Sequence, residues 1–399
     1  MNRVVLTIWL GWLAVMTGAN LAAPLYAVYA QRFAFSSLVL TLVFATYAAT
    51  LVPSLVLFGR LSDSIGRRPV LLAGLTAAAV GLALFATARS TAWLFAARAC
   101  QGLAVGMISG TATAALVEAD AGGPKRRPAM LAGLAQAGGS ALGPLIAGVL
   151  AEWAPAPRAL CFLLVLAVTV VAAFFTALVP EPGARDREPW RPQWPRVPAG
   201  IRSDFVRVGV TGGLVWAAVA LYLSIVPSDA GHILQTHDLA VLGGIGALAL
   251  GASCVSLVLS RRLPHSPRRH QAAGLAMLAA GLLALAAAGP TQQLAVLLVG
   301  AVLTGAGQGL ALLDAQDELN TIAPDERRGE VTAAFVSCIY TLVAAAVIGA
   351  GVLDQVVSLS HAVGVVAVVL AVTALAASAW QAGVRSVLPA VLRGIGARA

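Results

Sequence analysis

Residues 59–69 read Gly-Arg-Leu-Ser-Asp-Ser-Ile-Gly-Arg-Arg-Pro and connect two long apolar runs, at 37–58 and 69–88. A helix of about 20 apolar residues can cross the hydrocarbon core of a bilayer, which is about 30 Å thick. The short charged loop therefore predicts a turn between two membrane-spanning helices. The end of the first helix and the start of the second then lie on the same side of the membrane.

The spacing inside this loop indicates more than a polar connection. Gly59 and Gly66 permit a tight reversal of the chain and close packing of the helices. Asp63 can face the N-terminus of a helix in the other half of the chain, where the helix dipole favours an anion.

The two arginines of the loop have two interpretations. Arg67 and Arg68 can pair with acids at a neighbouring helix end, and Glu118 and Asp120 are the candidates. Alternatively, the arginines only anchor the loop in the cytoplasm, since lysine and arginine are enriched in cytoplasmic loops. That alternative accounts for the arginines but not for the aspartate or for the spacing of the glycines.

The composition of the whole chain agrees with a membrane protein. Of its 399 residues, 59% are hydrophobic and 11% are charged, whereas about 25% are charged in a typical soluble domain. The mean hydropathy is +0.87. The chain has too little polar surface for a soluble enzyme, a disordered chain or a nucleic-acid-binding module. Long continuous apolar runs also favour helices over the short alternating strands of a β-barrel.

Twelve apolar runs, here called span 1 to span 12 in chain order, are long enough to cross a membrane. They lie near 4–29, 37–58, 69–88, 92–117, 128–150, 157–179, 204–227, 239–260, 271–289, 292–313, 330–353 and 360–383. The sequence thus predicts an all-α polytopic membrane protein.

The chain divides into two similar halves. We predict an N-terminal six-helix bundle at 1–180, a cytoplasmic linker at 181–203, a C-terminal six-helix bundle at 204–385 and a cytoplasmic tail at 386–399. Three short repeats recur in equivalent spans at offsets near 200 residues. They are Arg60-Leu61 with Arg262-Leu263, Gln101-Gly102 with Gln308-Gly309, and Gly148-Val149-Leu150 with Gly351-Val352-Leu353.

The distribution of basic residues predicts the orientation. If both termini are cytoplasmic, the cytoplasmic segments hold 22 of the 26 lysine and arginine residues. This strong bias places both termini and the linker in the cytoplasm. The alanine-, glycine- and arginine-rich composition is typical of a GC-rich bacterial gene, so we expect the bacterial cytoplasmic (inner) membrane.

The loop at 59–69 resembles the signature G-x-L-x-D-x-x-G-R-R/K of the major facilitator superfamily (MFS), and the resemblance covers nearly the whole chain. It implies an MFS fold of two pseudo-symmetric six-helix bundles. It also implies that the charged cluster latches the two halves on the cytoplasmic side and is remade in each transport cycle. The equivalent loop at 262–269 lacks both glycines and has His265 in place of the acid, so we expect only an anchor there.

Span 4 contains a second family resemblance. Arg98, Gln101 and Gly102 belong to a stretch that resembles the pattern R-x-x-Q-G-x-x-x-G. Arg98 and Gln101 share a helix face, and the family implies a role in proton coupling or conformational change. Alternatively, Arg98 extends to the outer interface of the membrane. Many family members place an acid in span 1 near this arginine, but span 1 of this chain has no aspartate or glutamate.

Span 5 contains a third pattern. Gly139, Gly143, Pro144 and Gly148 resemble G-x-x-x-G-P-x-x-G-G, which is associated in this family with proton-driven exporters. The small residues permit close helix contact, and proline removes a backbone hydrogen bond and bends the helix. Ordinary packing of small residues is the alternative.

The end of span 10 is acidic and has two interpretations. Asp314 can carry a proton, or it belongs to an interfacial cluster at the helix end that pairs with nearby arginines. The second interpretation is favoured. We expect His265 and His270 to be solvated rather than involved in proton coupling.

A central cavity requires polar or aromatic groups within the spans. The candidates are Asn20, Tyr26, Tyr47, Gln136, Trp216, Tyr222, Gln308 and Tyr340. Aromatic residues near span ends can instead anchor the helices at the membrane interface.

The sequence favours a transporter over an enzyme. It contains no P-loop, no hydrolase motif, no catalytic residue pattern and no metal-ligand pattern, and no cofactor is expected. The expected function is proton-coupled export of small hydrophobic or amphipathic molecules by a monomer that alternates access between the two sides. The expected partners are the substrate, protons and the bilayer, without nucleic acid. The alternatives are a proton-coupled uptake symporter, a lipid transporter of the same fold and a non-transporting receptor.

Overall fold

The computed structural model describes a large part of the chain. The described residues are 2–58, 61–120, 127–181, 196–224, 226, 229–231, 236, 238–264, 266–324 and 327–383. Gly59 and His265, which the sequence analysis singled out, lie outside them. Most of the predicted linker (182–195) and the predicted tail at 386–399 also lie outside.

Twelve helical segments of the described residues are long and apolar enough to cross a membrane, which confirms the predicted fold class. Helices dominate because a spanning backbone must satisfy its own hydrogen bonds in hydrocarbon. Spans 1 to 6 contain Arg3–Asn20 continued by Tyr26–Phe33, then Ser37–Phe58, Arg67–Ala86, Thr91–Ala119, Arg127–Trp153 and Leu160–Leu178. Spans 7 to 12 contain Arg202–Ser224, Leu239–Leu259, Pro267–Thr291, Leu294–Ile322, Arg328–Leu353 and Leu359–Gln381.

Span 1 is interrupted near its middle. The helix Arg3–Asn20 is followed by a 3-10 turn, Ala23–Leu25, and then by the helix Tyr26–Phe33. Pro24 has no backbone N–H to donate, so the regular helical ladder is broken at this point. The break places Tyr26 at the start of a new helical segment, where it is fully buried.

Span 10 is longer than the sequence indicated. The apolar pattern ends near 313, but the helix continues to Ile322 through three acidic residues. Asp314 contacts His270, and Glu318 contacts Arg207, both within the same half of the chain. Because their charges are paired with side chains of neighbouring spans, these acids can lie in the helix beyond the end of the apolar run.

The buried apolar side chains form separate cores in the two halves of the chain. Most of the core residues of spans 1 to 6 pack with one another, in two clusters. Most of those of spans 7 to 12 form one large cluster between Phe205 and Ala377, and Val219, Leu223 and Leu250 form a small separate one. A few partly buried side chains, including Phe44 and Tyr340, pack against the core of the other half.

The two halves meet along two seams, where span 5 packs on span 8 and span 2 packs on span 11. One of the sequence repeats lies in these seams. A Cβ atom at Gly148 in span 5 would overlap the carbonyl oxygen of Leu239 in span 8, and one at Gly351 in span 11 would lie 3.1 Å from the Cβ of Thr41 in span 2. Equivalent glycines thus support equivalent contacts between the halves, as a repeated unit requires.

Span 10 and span 8 provide a test of how strongly the fold depends on glycine. A Cβ at Gly305 would overlap the backbone carbonyl of Ala249, whereas a Cβ at Gly251 would meet no atom within 4 Å. We expect Gly305→Ala to lower the free energy of unfolding by about 1–3 kcal/mol, because the helices must move apart.

The control substitution Gly251→Ala should leave stability unchanged or raise it slightly, because alanine is the better helix former. The measurement is the thermal unfolding midpoint of each purified variant in detergent. Equal midpoints for the two variants would contradict the close packing at Gly305.

Candidate functional site

The loop between spans 2 and 3 is built around one glycine in a conformation that other residues rarely adopt. After the short helix Leu61–Ile65, Gly66 has a φ of 106°, and the helix Arg67–Ala86 starts at the next residue. A residue with a side chain would be strained at this φ. The reversal brings Arg67 back towards the helix that precedes it.

Arg67 is the centre of the charged cluster. Its guanidinium contacts the carboxylate of Asp63 in the preceding helix, and its Nη2 lies 2.8 Å from Oε1 of Glu118 at the end of span 4. Its Nη1 also donates to the Ser62 hydroxyl, at 2.7 Å. The cluster joins the loop to the end of span 4, and the side chain of Asp63 remains 36% exposed.

Two of the expected partners in this cluster are different in the structure. Asp120 does not pair with the loop arginines; its Oδ1 lies 3.5 Å from Nη1 of Arg127, at the start of span 5. The side chain of Arg68 donates to the backbone carbonyl of Ala177 in span 6 rather than to Glu118 or Asp120. Of the two acids at the end of span 4, Glu118 pairs with Arg67 and Asp120 faces span 5.

Glu181 is a member of the cluster that the sequence analysis assigned only to the linker. Its Oε1 accepts hydrogen bonds from the backbone N–H groups of Arg67 and Arg68, the second at 3.2 Å. A carboxylate at the first turn of a helix satisfies free N–H groups and matches the helix dipole. The sequence signal that could have predicted this contact is the position of Glu181 directly after span 6. The end of span 6 and the start of span 3 lie on the same side of the membrane.

Arg98 in span 4 is buried, with only 3% of its surface exposed. Its Nε donates to the hydroxyl of Tyr26, and its Nη1 donates to the carbonyl oxygen of Ala19 at 2.7 Å and to Oε1 of Gln101 at 2.9 Å. Gln101 in turn donates to the carbonyl oxygen of Gly18. The alternative that Arg98 extends to the outer interface is therefore wrong, because span 1 supplies polar partners inside the bundle.

Aromatic rings surround the Arg98 guanidinium. Its Cζ lies 5.3 Å from the ring centroids of Tyr26 and Phe44, 5.7 Å from that of Tyr47 and 5.9 Å from that of Phe85. The faces of aromatic rings attract cations. The rings and the carbonyl oxygens partly replace water around this charge.

Gly102 and the glycines of span 5 hold the surrounding helices close together. A Cβ at Gly102 would lie 2.5 Å from the carbonyl oxygen of Tyr47 in span 2. A Cβ at Gly139 would lie 2.6 Å from the Cβ of Met16, and one at Gly143 would lie 2.6 Å from the carbonyl oxygen of Thr17, both in span 1.

The other side of span 5 faces the second half of the chain. A Cβ at Gly243 in span 8 would overlap the carbonyl oxygen of Pro144. At the same end of span 5, Oε2 of Glu152 accepts from the backbone N–H of Leu239 at 2.9 Å. Span 5 therefore touches span 1 within its own half and span 8 across the seam.

The residues expected to line a cavity occupy two kinds of position. Tyr26, Tyr222 and Gln308 are fully buried within their own halves. Five others are only half-buried and lie in spans 1, 2, 5, 7 and 11, and these are Asn20, Tyr47, Gln136, Trp216 and Tyr340. Asn20 donates to the Ser140 hydroxyl of span 5, at 3.1 Å.

Tyr47 and Tyr340 meet across the seam between spans 2 and 11. Their ring centroids are 6.0 Å apart in an edge-to-face arrangement. Because Tyr47 also lies against the Arg98 guanidinium, these two rings connect the buried cation to the boundary between the halves.

His270 and Asp314 form a pair that corrects two expectations. Nδ1 of His270 in span 9 lies 2.6 Å from Oδ2 of Asp314 in span 10, and the two side chains are 13% and 9% exposed. His270 is thus not solvated, and the partner of Asp314 is a histidine rather than an arginine. Their separation of 44 residues gives no local signal, so only the packing of spans 9 and 10 reveals the pair.

A second buried arginine was missed because it lies near the start of span 7. Arg207 contacts Glu318 in span 10 and Gln381 in span 12, and its Nη2 lies 3.1 Å from Oδ1 of Asp204. Gln271 in span 9 donates to Glu318 at 2.7 Å. The network joins spans 7, 9, 10 and 12 at one end of the second half.

The described residues contain no cluster of three or more histidine, cysteine, aspartate or glutamate side chains that could hold a metal ion. The four cysteines are free and lie in different spans.

Comparisons with known proteins agree with this geometry. A family model described as Major Facilitator Superfamily matches residues 8–347. The crystal structure of a mutant of the nucleoside transporter NupG is similar with a TM-score of 0.70 and 11% identity, over 96% of this chain and 100% of that chain. The human organic anion transporter MFSD10 (TETRAN) is similar with a TM-score of 0.67 and 19% identity, over 95% of this chain and 99% of that chain. No curated protein matches the chain in sequence.

The two acids beside Arg207 provide a test of the buried network. Glu318 is 14% exposed and also binds Gln271, whereas Asp204 is 44% exposed. We expect Glu318→Gln to lower the free energy of unfolding by about 3 kcal/mol, because it leaves a buried guanidinium without its main counter-charge.

The control Asp204→Asn should cost at most about 1 kcal/mol, since exposed ion pairs contribute little. Unfolding midpoints in detergent, measured with both variants at the same pH and ionic strength, decide the comparison. A larger effect at Asp204 would contradict the assignment of Glu318 as the main partner.

Proposed function

The chain belongs to the Major Facilitator Superfamily, and on that premise we propose that it is a proton-coupled exporter of small hydrophobic or amphipathic molecules. The family and the fold make it a multi-pass membrane transporter rather than an enzyme. Export, proton coupling and the class of substrate are the proposed part. The observation that carries the proposal is the packing of span 5, which touches span 1 and span 8 at the glycines around Pro144.

The contacts of span 5 suit a helix that couples the two halves. Gly139 and Gly143 fit it against span 1, while Gly148 and the carbonyl of Pro144 fit it against span 8. Backbone contacts without intervening side chains let two helices pivot on each other with little repacking. A pivot at this position opens one end of the seam as the other closes, as alternating access requires.

The two ends of the seams differ. At the end predicted to be extracytoplasmic, Gly351 packs on Thr41, and Glu152 accepts from the backbone of Leu239. At the other end, Asp63 pairs with Arg67 of its own half and keeps part of its surface exposed. We propose that Asp63 engages the N-terminus of span 11 when this end closes, and that the cluster around Arg67 is the cytoplasmic latch.

We assign the proton to the His270–Asp314 pair. An imidazole and a carboxylate at hydrogen-bond distance can exchange a proton between them, and both groups are mostly shielded from water. Among the described residues, Asp314 pairs with a histidine, whereas Glu118 and Glu318 pair with arginines. Loss of the proton would leave a charge between spans 9 and 10, and so favour one arrangement of these helices over another.

Alternating access can be tested by linking the seam. In a variant with the native cysteines replaced by serine, we expect Thr41→Cys with Gly351→Cys to form a disulfide between spans 2 and 11 when oxidised. The two β-carbons are near the separation that a disulfide needs. Oxidation should reduce transport at least tenfold, because the extracytoplasmic end can no longer open, and a reductant should restore it.

The control is the same double-cysteine variant kept reduced, and each single-cysteine variant under oxidation. Disulfide formation is measured by the shift in electrophoretic mobility. Full transport by the cross-linked protein would contradict movement at this seam.

Proton coupling can be tested in inverted membrane vesicles with an acidified interior. We expect a transported lipophilic compound to release protons from vesicles that contain the wild-type protein. Asp63→Asn should abolish both transport and release, because the latch is lost. Asp314→Asn should abolish the proton release while retaining exchange of the labelled compound, because only the proton carrier is lost.

His361→Gln is a matched control for His270→Gln, since His361 is exposed and its Nδ1 lies 2.6 Å from the hydroxyl of the nearby Ser358. His270→Gln should change the pH dependence of transport, and His361→Gln should not. If the Asp314→Asn variant releases as many protons per transported molecule as the wild type, the assigned proton site is wrong. If no compound of a broad panel releases protons, while cells with the protein accumulate a metabolite faster, uptake by symport replaces export.

A further inference from the structure

Arg98 and Arg207 are both buried in the helical part of the chain, but their surroundings differ. Their exposed fractions are 3% and 5%. A charge removed from water is costly unless an opposite charge or several hydrogen bonds compensate for it. In transmembrane helices, such charges are rare and usually mark a functional site. The neighbours of each arginine show whether its charge is compensated within the chain.

Arg207 has its counter-charges within the chain. It contacts the carboxylates of Glu318 and Asp204, and Gln271 and Gln381 complete the network. The network occupies one end of the second half and connects four spans. The two carboxylates compensate the charge of Arg207 without a ligand, so Arg207 is explained as a structural residue.

Arg98 has only neutral partners in the described part of the chain. These are the Tyr26 hydroxyl, the Ala19 carbonyl and the Gln101 amide oxygen. They occupy Nε and Nη1, and no described residue accepts a hydrogen bond from Nη2 of Arg98. Among the described residues, this guanidinium therefore has no counter-charge and no acceptor at Nη2, which suits the binding of an anion.

The location of Arg98 allows an anion to reach it from the boundary between the halves. The rings of Phe44 and Tyr47 in span 2 lie on the guanidinium. Both rings also border the second half: Phe44 packs against its core, and Tyr47 contacts Tyr340 of span 11. Separation of spans 2 and 11 would therefore uncover the Arg98 side chain.

We propose that Arg98 binds the anionic group of a transported small molecule, and that the substrates are amphipathic organic monoanions with an apolar body. The inference rests on the proposed transport function and specifies its substrate class. A carboxylate can take two parallel hydrogen bonds from Nε and Nη2 of a guanidinium. It would replace the Tyr26 hydroxyl at Nε and use the free Nη2, and its apolar part would lie among the rings of spans 2 and 11.

The test uses sets of three probes with the same body: a carboxylate, its neutral amide and the matching amine. One set is 4-phenylbutyrate, 4-phenylbutyramide and 4-phenylbutylamine, and further sets have aliphatic and bicyclic bodies. Binding to the purified full-length protein is measured by calorimetry in detergent with chloride held constant. We expect at least one carboxylate to bind tenfold or more tightly than its amide, and the amine to bind weakest.

Variants test whether Arg98 causes the preference for the carboxylate over the amide. Arg98→Gln should reduce the affinity for the carboxylate to that for the amide, while Arg98→Lys should retain part of the preference. Tyr26→Phe should keep or increase the affinity for the carboxylate, because Nε no longer has a competing acceptor. A purely structural role of Arg98 would instead weaken the binding of all three probes equally.

The proposal is overturned if no carboxylate in the sets binds wild type more tightly than its amide, which is decided without any variant. It is also overturned if the preference persists in Arg98→Gln, or if chloride alone competes as well as the carboxylates do. Proton-coupled transport is judged separately. If neutral amides drive proton release as well as the carboxylates, the substrate class is wrong and transport stands. If the carboxylates bind through Arg98 but release no protons, the substrate class stands and proton coupling is wrong.

Discussion

Direct contact between the backbones of neighbouring spans is the interaction on which the rest of this structure depends. Glycine makes it possible, because a Cβ at Gly148, Gly243 or Gly305 would overlap a carbonyl oxygen of the facing helix. In a bilayer the apolar side chains gain little by leaving lipid for protein, so close packing and hydrogen bonds must hold the helices together. The contacts at Gly148 and Gly243 lie in the seam between spans 5 and 8, where the two halves meet.

The polar groups inside the helices depend on this packing. The partners of Arg98 in span 1 lie in a bundle where Gly102 fits span 4 closely against span 2, and where Gly139 and Gly143 fit span 5 closely against span 1. In the second half, the pairing of His270 with Asp314 and of Arg207 with Glu318 depends on the contact between spans 9 and 10 and on the position of span 7. The two halves therefore share a fold but differ in how they treat a buried arginine. In the second half, carboxylates face Arg207, whereas the partners of Arg98 in the described part of the chain are neutral.

The sequence was most informative where a constraint acts along one helix or one loop. The apolar runs located all twelve spans, because a spanning helix must be apolar over a fixed length. The spacing in the loop at 61–68 located Arg67 and its partner Glu118, because the turn brings two helix ends together. The sequence analysis misplaced the end of span 10, because acidic residues end the apolar pattern there while the helix itself goes on. It also missed Glu181, which follows span 6 and acts on the start of span 3.

The sequence by itself determined the class of protein, the number of spans and the family, since these follow from apolar length and from short motifs. The tertiary structure decided the partners of each buried polar group. Asp314 pairs with a histidine, Asp120 with Arg127, and Arg98 with neutral oxygens of span 1. The physical reason is that the spacing along a chain shows which face of a helix a residue occupies. The neighbour that this face meets depends on the rotation and depth of a second helix, which are set by glycine contacts far away in the sequence.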